Sequence, residues 1–271
     1  MKHRISVVMP VHAGIKPEYF TEATQSILNQ SLKVFEIIIV VDGGVSKELL
    51  NKIENFSLYN SILVIYLDEN CGPGFARDVA IKSSNGDIIA LMDADDISRN
   101  NRFEVQVNAF IANKNDMLGG YISEFHKKVG DFDSIRKVPT SMSEIKKNMV
   151  KRMPFNNVTL MFTKELYLKS GGYKNLRHVE DYDLNFRMFL SAKSVLNLSQ
   201  ILVDVRIESN NSIFQRRVGM SYFIEEAKLF YFMKKSGYMR ISDYLYSISS
   251  RCLIRLGPTW LARYIYIKFR S

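Results

Sequence analysis

Short runs of consecutive apolar residues alternate, over the first hundred positions, with stretches in which apolar residues recur every three or four. Ile5 to Met9, Phe35 to Val41, Ile62 to Leu67 and Ile88 to Met92 are too short for helices and rich in β-branched side chains, so each predicts a buried strand. Between the first two, Pro17 opens a helical pattern with Phe20, Ala23, Ile27 and Leu28 on one face. Leu49, Leu50, Ile53 and Phe56 mark a second helix, and a third runs from the glycine-rich Asn70 to Asp78 segment towards Ser84. Four strands alternating with three helices predict an α/β fold built on a mostly parallel, doubly wound sheet.

The alternation loosens after Asp96. Arg102 to Ala112 reads as a helix and Met117 to Ser123 as a strand, whereas Lys127 to Thr140 is polar and reads as a mobile loop. A helix is expected over Ser143 to Arg152, a strand over Asn156 to Phe162, and a helix over Lys164 to Lys169 that Gly171-Gly172 stops. His178 to Leu184 begins a further helix that buries Leu184, Met188 and Phe189, and Ser194 to Ile207 returns to strand-like alternation. From Arg216 onwards the chain is helical, basic and aromatic.

Carboxylates stand where those strands end. In open α/β sheets ligands bind beyond the carboxyl ends of the strands, and here Asp42-Gly43-Gly44 follows the second run and Asp93-Ala94-Asp95-Asp96 the fourth. Carboxylates so close repel unless a cation lies among them, and hard oxygen ligands on a short turn suit Mg²⁺ or Mn²⁺ shared with substrate phosphates. Along extended backbone Asp93 and Asp95 point one way and Asp96 the other.

Charge changes the picture only near the end of the chain. Of the net +9, residues 214–271 carry 11 Lys+Arg against 3 Asp+Glu, or +8, so a basic segment follows a nearly neutral body. Trp260, Tyr264 and Ile267 recur there at helical spacing beside Arg255, Arg263 and Arg270, a pattern suited to an anionic membrane surface. No motif for nucleic acid accompanies it. No apolar run approaches the roughly 18 residues that span a bilayer, and no cleavage site follows Met1 to Arg4, so a cytoplasmic protein is expected, peripheral at the inner face of the cell membrane. Two cysteines, Cys71 and Cys252, make no disulfide framework and predict free thiols.

Taken together, Ile5 to Val11, Ile37 to Gly43, Asn70 to Arg77, Asn85 to Asp87, Leu91 to Asp96, Gly171 to Tyr173, Glu180 to Leu184 and Val205-Arg206 resemble the inverting family 2 glycosyltransferases of the GT-A fold, particularly bacterial enzymes of surface-polysaccharide assembly. The resemblance covers residues 4–215. It implies a GT-A domain over 1–213, with a nucleotide-binding half at 1–98 and an acceptor and catalytic half at 99–213, followed by a basic helical extension at 214–271. It further implies transfer of a sugar from a nucleotide donor, a UDP-hexose, to a glycan or lipid-linked glycan.

The resemblance also assigns roles. Asp42 would accept a hydrogen bond from the uracil ring, Pro10, Val11 and His12 would line the nucleotide pocket through backbone groups, and Arg77 would lie near the phosphates. Asp93-Ala94-Asp95 matches the Asp-X-Asp motif, with Asp95 as the direct ligand of Mn²⁺ or Mg²⁺, Asp93 nearer the ribose and Asp96 in support. Asp181 would be the base that takes the acceptor proton, with Glu180 beside it. The chain departs from the family at Asp78, where Asn is commoner, at Asn157, where His often stands, and at Arg206-Ile207-Glu208, which lacks a frequent His; Glu208 would then stand in as a ligand. Two other functions fit parts of the pattern: a non-catalytic nucleotide-binding scaffold, and a phosphatase of the haloacid-dehalogenase type, whose nucleophile loop Asp93 to Ile97 nearly matches.

Overall fold

A computed structural model describes residues 4–207 and 218–257. Glu208 and the Trp260, Tyr264 and Ile267 stripe with Arg263 and Arg270 lie outside the described residues.

Strands β1 (Ile5–His12), β2 (Glu36–Asp42) and β3 (Ile62–Leu67) are parallel, linked by helices α1 (Pro17–Leu28) and α2 (Lys47–Ser57). Helix α3 (Pro73–Ser83) carries the chain back to β4 (Ile88–Leu91), which pairs with the other edge of β1. The strand order β3-β2-β1-β4 thus reverses between β1 and β4, and ligand crevices open at such reversals. Register shows where this one opens. β1 stays paired with β2 as far as His12 opposite Asp42, but with β4 only as far as Val8 opposite Leu91. Val8 directs its carbonyl to β4, accepting from the Met92 N–H, so Pro10, two residues on, faces the same side after pairing has ended. Its missing N–H costs no ladder bond.

Both faces of this parallel sheet are covered, which is why its strands read as unbroken apolar runs. Val7, Met9, Ile37 and Ile39 pack with Phe20, Ala23, Ile53 and Phe103 on one face. Val8, Ile38 and Val40 pack with Ala76, Ile81, Leu184 and Phe230 on the other.

The second half extends the sheet. After β5 (Ile97–Ser98) and α4 (Arg102–Asn113) come β6 (Met117–Phe125), β7 (Ser134–Arg136), α5 (Met142–Met149), β8 (Met161–Thr163), α6 (Lys164–Lys169), α7 (Glu180–Ser191) and β9 (Val195–Arg206). The sheet continues β4-β8-β6-β9-β5, with β7 paired to β6 off that path. Two expectations need correcting. Lys127 to Thr140 is not all loop, because Ser134–Arg136 forms β7 against Ile122–Glu124. Asn156 to Phe162 is not one strand: Asn157–Thr159 is a 3-10 turn, and extended pairing begins only at Met161. Side chains account for this, since Thr159 Oγ1 donates to the Asn156 carbonyl at 2.7 Å and Asn156 Nδ2 to the Gly120 carbonyl at 2.8 Å, drawing the chain out of a ladder.

Two further helices, α8 (Met220–Lys235) and α9 (Ile241–Leu256), form a hairpin. Leu229, Phe230 and Met233 of α8 belong to the second core, where Phe230 meets Tyr182 of α7 edge-on at 6.3 Å. α9 packs Tyr244 and Ile248 against that core and is tied by charge as well: buried Glu226 of α8 pairs with Arg251 at 3.0 Å and Arg255 at 2.9 Å. Replacing Phe230 by Ala leaves a cavity between α7 and α8 and is expected to cost about 3–5 kcal/mol, read from the urea midpoint. A loss below roughly 1 kcal/mol would mean that α8 contributes little to the core.

Candidate active site

Asp42 ends β2 beneath the Asn70–Gly72 loop. It is buried, and its two carboxylate oxygens accept the N–H groups of Cys71 at 2.7 Å and Gly72 at 3.0 Å. The carboxylate therefore folds this loop, and each oxygen retains a lone pair for a further donor. At the end of β1 the Val11 side chain is fully buried and His12 is exposed, its Nδ1 accepting the Gly14 N–H at 3.0 Å. Pro10 to His12 thus stand at the carboxyl end of β1, with His12 opposite Asp42.

Arg77, on α3, joins the two halves of the site. Its Nη2 donates to Asp93 at 2.7 Å and its Nη1 to Asp181 at 3.2 Å, though these carboxylates are distant in sequence. Arg77 is 6% exposed, and the charges of Asp181 and Asp93 outweigh its burial and hold it firmly protonated.

Behind Asp93 the chain turns, leaving Asp93 and Asp95 half-buried at the front and Ala94 and Asp96 buried behind them. Asp96 accepts the Arg206 N–H at 2.8 Å, and burial followed by the nearby Asp95 and Asp93 charges pushes its carboxyl well above the usual range. Arg206 braces the same turn: its Nε donates to the Asp95 carbonyl at 3.1 Å, its Nη2 to Glu22 at 2.5 Å, and its guanidinium lies 3.8 Å from the Tyr19 ring centre. Deeper still, fully buried Arg102 donates to the carbonyls of Leu91 at 2.9 Å and Val158 at 3.0 Å, tying the end of β4 to the 3-10 turn. Desolvation lowers its guanidinium to about 9, against the opposing pull of Asp93 and Asp96.

Glu180 and Asp181 open α7, where the helix dipole favours negative charge. Their approach is set by a turn that requires glycine, since Gly171 and Gly172 have φ of +83° and +65°, which residues with a side chain rarely adopt. Arg187 fixes that turn by donating to the Ser170 carbonyl and, at 2.7 Å, to the Gly172 carbonyl, while pairing with Asp183 at 2.6 Å. The turn aims Tyr173, whose hydroxyl donates to Asp181 at 2.9 Å. Gly74 has its own reason, because a Cβ there would stand 3.0 Å from Cγ of Glu180. Glu180 Oε2 is buried without a hydrogen-bond partner, and burial first, then the Asp181 charge, pushes its carboxyl up to about 7.

The structure brings some of the sequence-based candidates into direct contact and gives the others separate partners. Arg77, Asp93 and Asp181 form a direct cluster, Glu180 flanks it, Asp96 props the turn from behind, and Asp42 orders the neighbouring loop. Sequence reasoning missed Tyr173 as a partner of Asp181 and Arg102 altogether; an arginine inside an apolar helical face was the only signal for the latter. Asp78, a departure from the family pattern, accepts from Tyr167 at 2.5 Å and Lys82 at 2.7 Å, and the Tyr167 oxygen accepts the Tyr173 N–H at 3.1 Å. Asn157 accepts from Asn185 Nδ2 at 3.2 Å.

Among the described residues no three His, Cys, Asp or Glu side chains converge as a protein-only metal cage. The donor set nonetheless suits Mg²⁺ or Mn²⁺, which are commonly held by one or two carboxylates together with substrate phosphates. Half-buried Asp95 and Asp93 supply such oxygens, and Asp96 shows how much uncompensated negative charge the turn concentrates.

A doubly wound sheet with these carboxylates at its reversal point is the frame of a GT-A glycosyltransferase. The chain belongs to glycosyl transferase family 2, whose family model matches residues 6–170. It is 33% identical over 267 residues to the UDP-Gal:alpha-D-GlcNAc-diphosphoundecaprenol beta-1,3-galactosyltransferase of Escherichia coli, covering 98% of this chain and 96% of that one. It is 28% identical to the amylovoran biosynthesis glycosyltransferase AmsE of Erwinia amylovora, covering 98% and 99%. Among solved structures, S. aureus TarS 1-349 in complex with UDP-GlcNAc superposes with a TM-score of 0.71 at 16% identity, over 92% of this chain and 72% of that one. Mannosyltransferase PcManGT from Pyrobaculum calidifontis, in complex with GDP-Man and Mn²⁺, gives 0.64 at 13% identity over 96% and 72%. The phosphatase alternative falls with family membership, which accounts for the same Asp93 to Asp96 turn.

The raised Glu180 carboxyl has a stability consequence. Between its ordinary 4.5 and about 7 the folded protein keeps a proton that the unfolded chain has released, so stability falls as pH rises through this window. Glu180→Gln removes that loss, and its Tm relative to the parent protein is expected to be higher at pH 8 than at pH 5. An equal difference at the two pH values would show that Glu180 titrates normally.

Proposed function

We propose that this glycosyltransferase inverts configuration in a single displacement, moving a hexose from a UDP-sugar to a lipid-linked glycan with Asp181 as base. The observation that carries this is the Arg77 bridge, which draws the Asp-X-Asp carboxylate Asp93 and Asp181 to one guanidinium. The acceptor hydroxyl oxygen attacks the anomeric carbon, the bond from that carbon to the diphosphate oxygen breaks, and its electron pair departs with UDP. The hydroxyl proton passes to an Asp181 oxygen. The Asp181 oxygens are engaged by Arg77 and the Tyr173 hydroxyl, so the bridge has to loosen before either can take a proton. An arriving diphosphate offers Arg77 another anionic partner and frees Asp181 to accept the proton.

Asp95 and Asp93 would hold Mn²⁺ or Mg²⁺, which would offset the negative charge developing on the leaving diphosphate. Asp42 and the Cys71–Gly72 backbone would border the uracil, with Pro10 to His12 on its other side. The Escherichia coli relative is named for UDP-galactose and a diphosphoundecaprenol-linked acceptor, which makes UDP-galactose and a lipid-diphosphate glycan the first pair to test.

Calorimetric titration with UDP is expected to give binding in Mn²⁺ that EDTA abolishes and Asp95→Asn weakens. Asp181→Asn should bind UDP normally yet transfer sugar about 10²- to 10⁴-fold more slowly. Metal-independent binding would remove Asp95 from its role, and near-normal transfer by Asp181→Asn would remove Asp181.

The acceptor's lipid also calls for a membrane surface. Among the described residues no helix is long and apolar enough to cross a bilayer. Instead Met220, Ile224 and Tyr231 lie exposed on one stripe of α8, and Ile241, Leu245 and Leu256 on one stripe of α9. The charge of +8 over residues 214–271 complements anionic headgroups. Replacing Ile224 of α8 and Leu245 of α9 by Glu is expected to reduce binding to phosphatidylglycerol vesicles and leave UDP affinity intact; undiminished vesicle binding would refute the assignment.

A further inference from the structure

We infer that Glu225, on the C-terminal hairpin, is a positioning residue for the catalytic carboxylates, so that α8 is part of the transfer machinery. The inference rests on Asp181 as the base. Helix α7 begins abruptly: its N-cap, Val179, makes no side-chain capping bond, and the segment between the double glycine and the helix forms no strand or helix of its own. Left to itself, such an entry would let the first turn fray, and Glu180 and Asp181 stand in that turn.

Arg77 and Tyr173 hold the Asp181 side chain; the backbone leading into the helix is restrained from α8. The two carboxylate oxygens of Glu225 accept consecutive backbone N–H groups, Arg177 at 3.3 Å and His178 at 2.9 Å, immediately before α7. The neighbouring residues of α8 hold the same point through its side chain. The His178 ring lies against Tyr222 with centres 5.0 Å apart and planes 28° apart, and its Nε2 is 3.2 Å from Ser221 Oγ. Tyr222 in turn carries the Arg255 guanidinium of α9 at 4.0 Å from its ring centre. Three residues in the first two turns of α8 therefore fix a backbone position only three residues from Asp181.

This arrangement lies wholly beyond residues 6–170, the part that the family model matches. It separates two jobs. The crevice between β1 and β4 positions the nucleotide, and its residues do not touch Glu225; the hairpin instead sets where the base stands relative to the acceptor. Loss of the restraint should therefore reduce the rate of transfer and not the affinity for donor, since displacement of a base by about 1 Å can cost as much as a hundredfold in rate.

The test is steady-state transfer from UDP-galactose to a GlcNAc-diphosphate-lipid acceptor by the full chain. Glu225→Ala is expected to lower kcat at least tenfold while donor KM and calorimetric UDP affinity stay within twofold and Tm stays close to that of the parent. Glu225→Gln keeps one acceptor oxygen and should fall between the two, a graded rescue that general loosening of the fold would not give. Should the alanine variant not fold, Glu225→Gln carries the comparison alone. Unchanged kcat in the folded variants would overturn the inference, as would a parallel loss of kcat, donor affinity and Tm. Asp181→Asn, assayed alongside, separates the two claims: if it still transfers, the base assignment fails, and if it is inactive while Glu225→Ala is normal, only the positioning role fails.

Discussion

One buried guanidinium holds the catalytic geometry together. Arg77 comes from α3, Asp93 from the end of β4 and Asp181 from the start of α7, and no backbone ladder joins these three places directly. Two carboxylates facing one crevice would push α7 from the sheet, and the shared cation reverses the sign of that force. The pair of contacts is expensive to break on one side only, because a buried charge stripped of a partner keeps its desolvation cost. Arg77 also keeps one buried donor, Nε, without a partner. The bridge is thus a tight but incompletely satisfied arrangement.

Much of the remaining structure serves to present those three groups. The sheet reversal leaves the crevice, Arg206 and Arg102 brace the Asp93 to Asp96 turn from behind, and Arg187 with Asp183 locks the double glycine that leads to Tyr173. Lys82, Asp78 and Tyr167 form a second brace that reaches the Tyr173 amide. The departure at Asp78 makes physical sense within it, since a carboxylate accepts from both Tyr167 and Lys82, whereas an Asn amide in the same pose would set its NH₂ group against one of these donors.

How much of this was legible in the chain depends on whether the signal was local. The four parallel strands were, because burial on both faces demands unbroken apolar runs, and so were the strand-end carboxylates, because their place follows from the sheet. The 3-10 turn at Asn157–Thr159 was not: Val158, Leu160 and Met161 look like a strand, and only the distant Gly120 carbonyl makes the Asn156 side chain prefer a turn. Strand β7 is three residues long and exists only through β6. Arg77 could be singled out from its glycine-rich surroundings, but not its partners, since a contact across 104 residues has no local pattern. The apolar hairpin core was equally hidden, because the basic charge of the segment draws attention to its surface and Phe230 reveals its role only against Tyr182.

The distribution of charge within the crevice follows from depth. Asp96 and Glu180 are each pressed by burial and by an adjacent carboxylate, and both are driven towards the protonated form. Half-buried Asp93 has Arg77 to offset it, and both it and Asp95 stand nearer solvent. Negative charge is therefore concentrated at the front of the turn and suppressed behind it. In the proposed function a cation arriving with a nucleotide diphosphate would meet its strongest attraction at Asp95 and Asp93, because Asp96 is committed to the Arg206 amide. Asp181, at the far side of Arg77, has its charge balanced within the protein by that guanidinium; in the proposed mechanism it would be released when a diphosphate competes for Arg77.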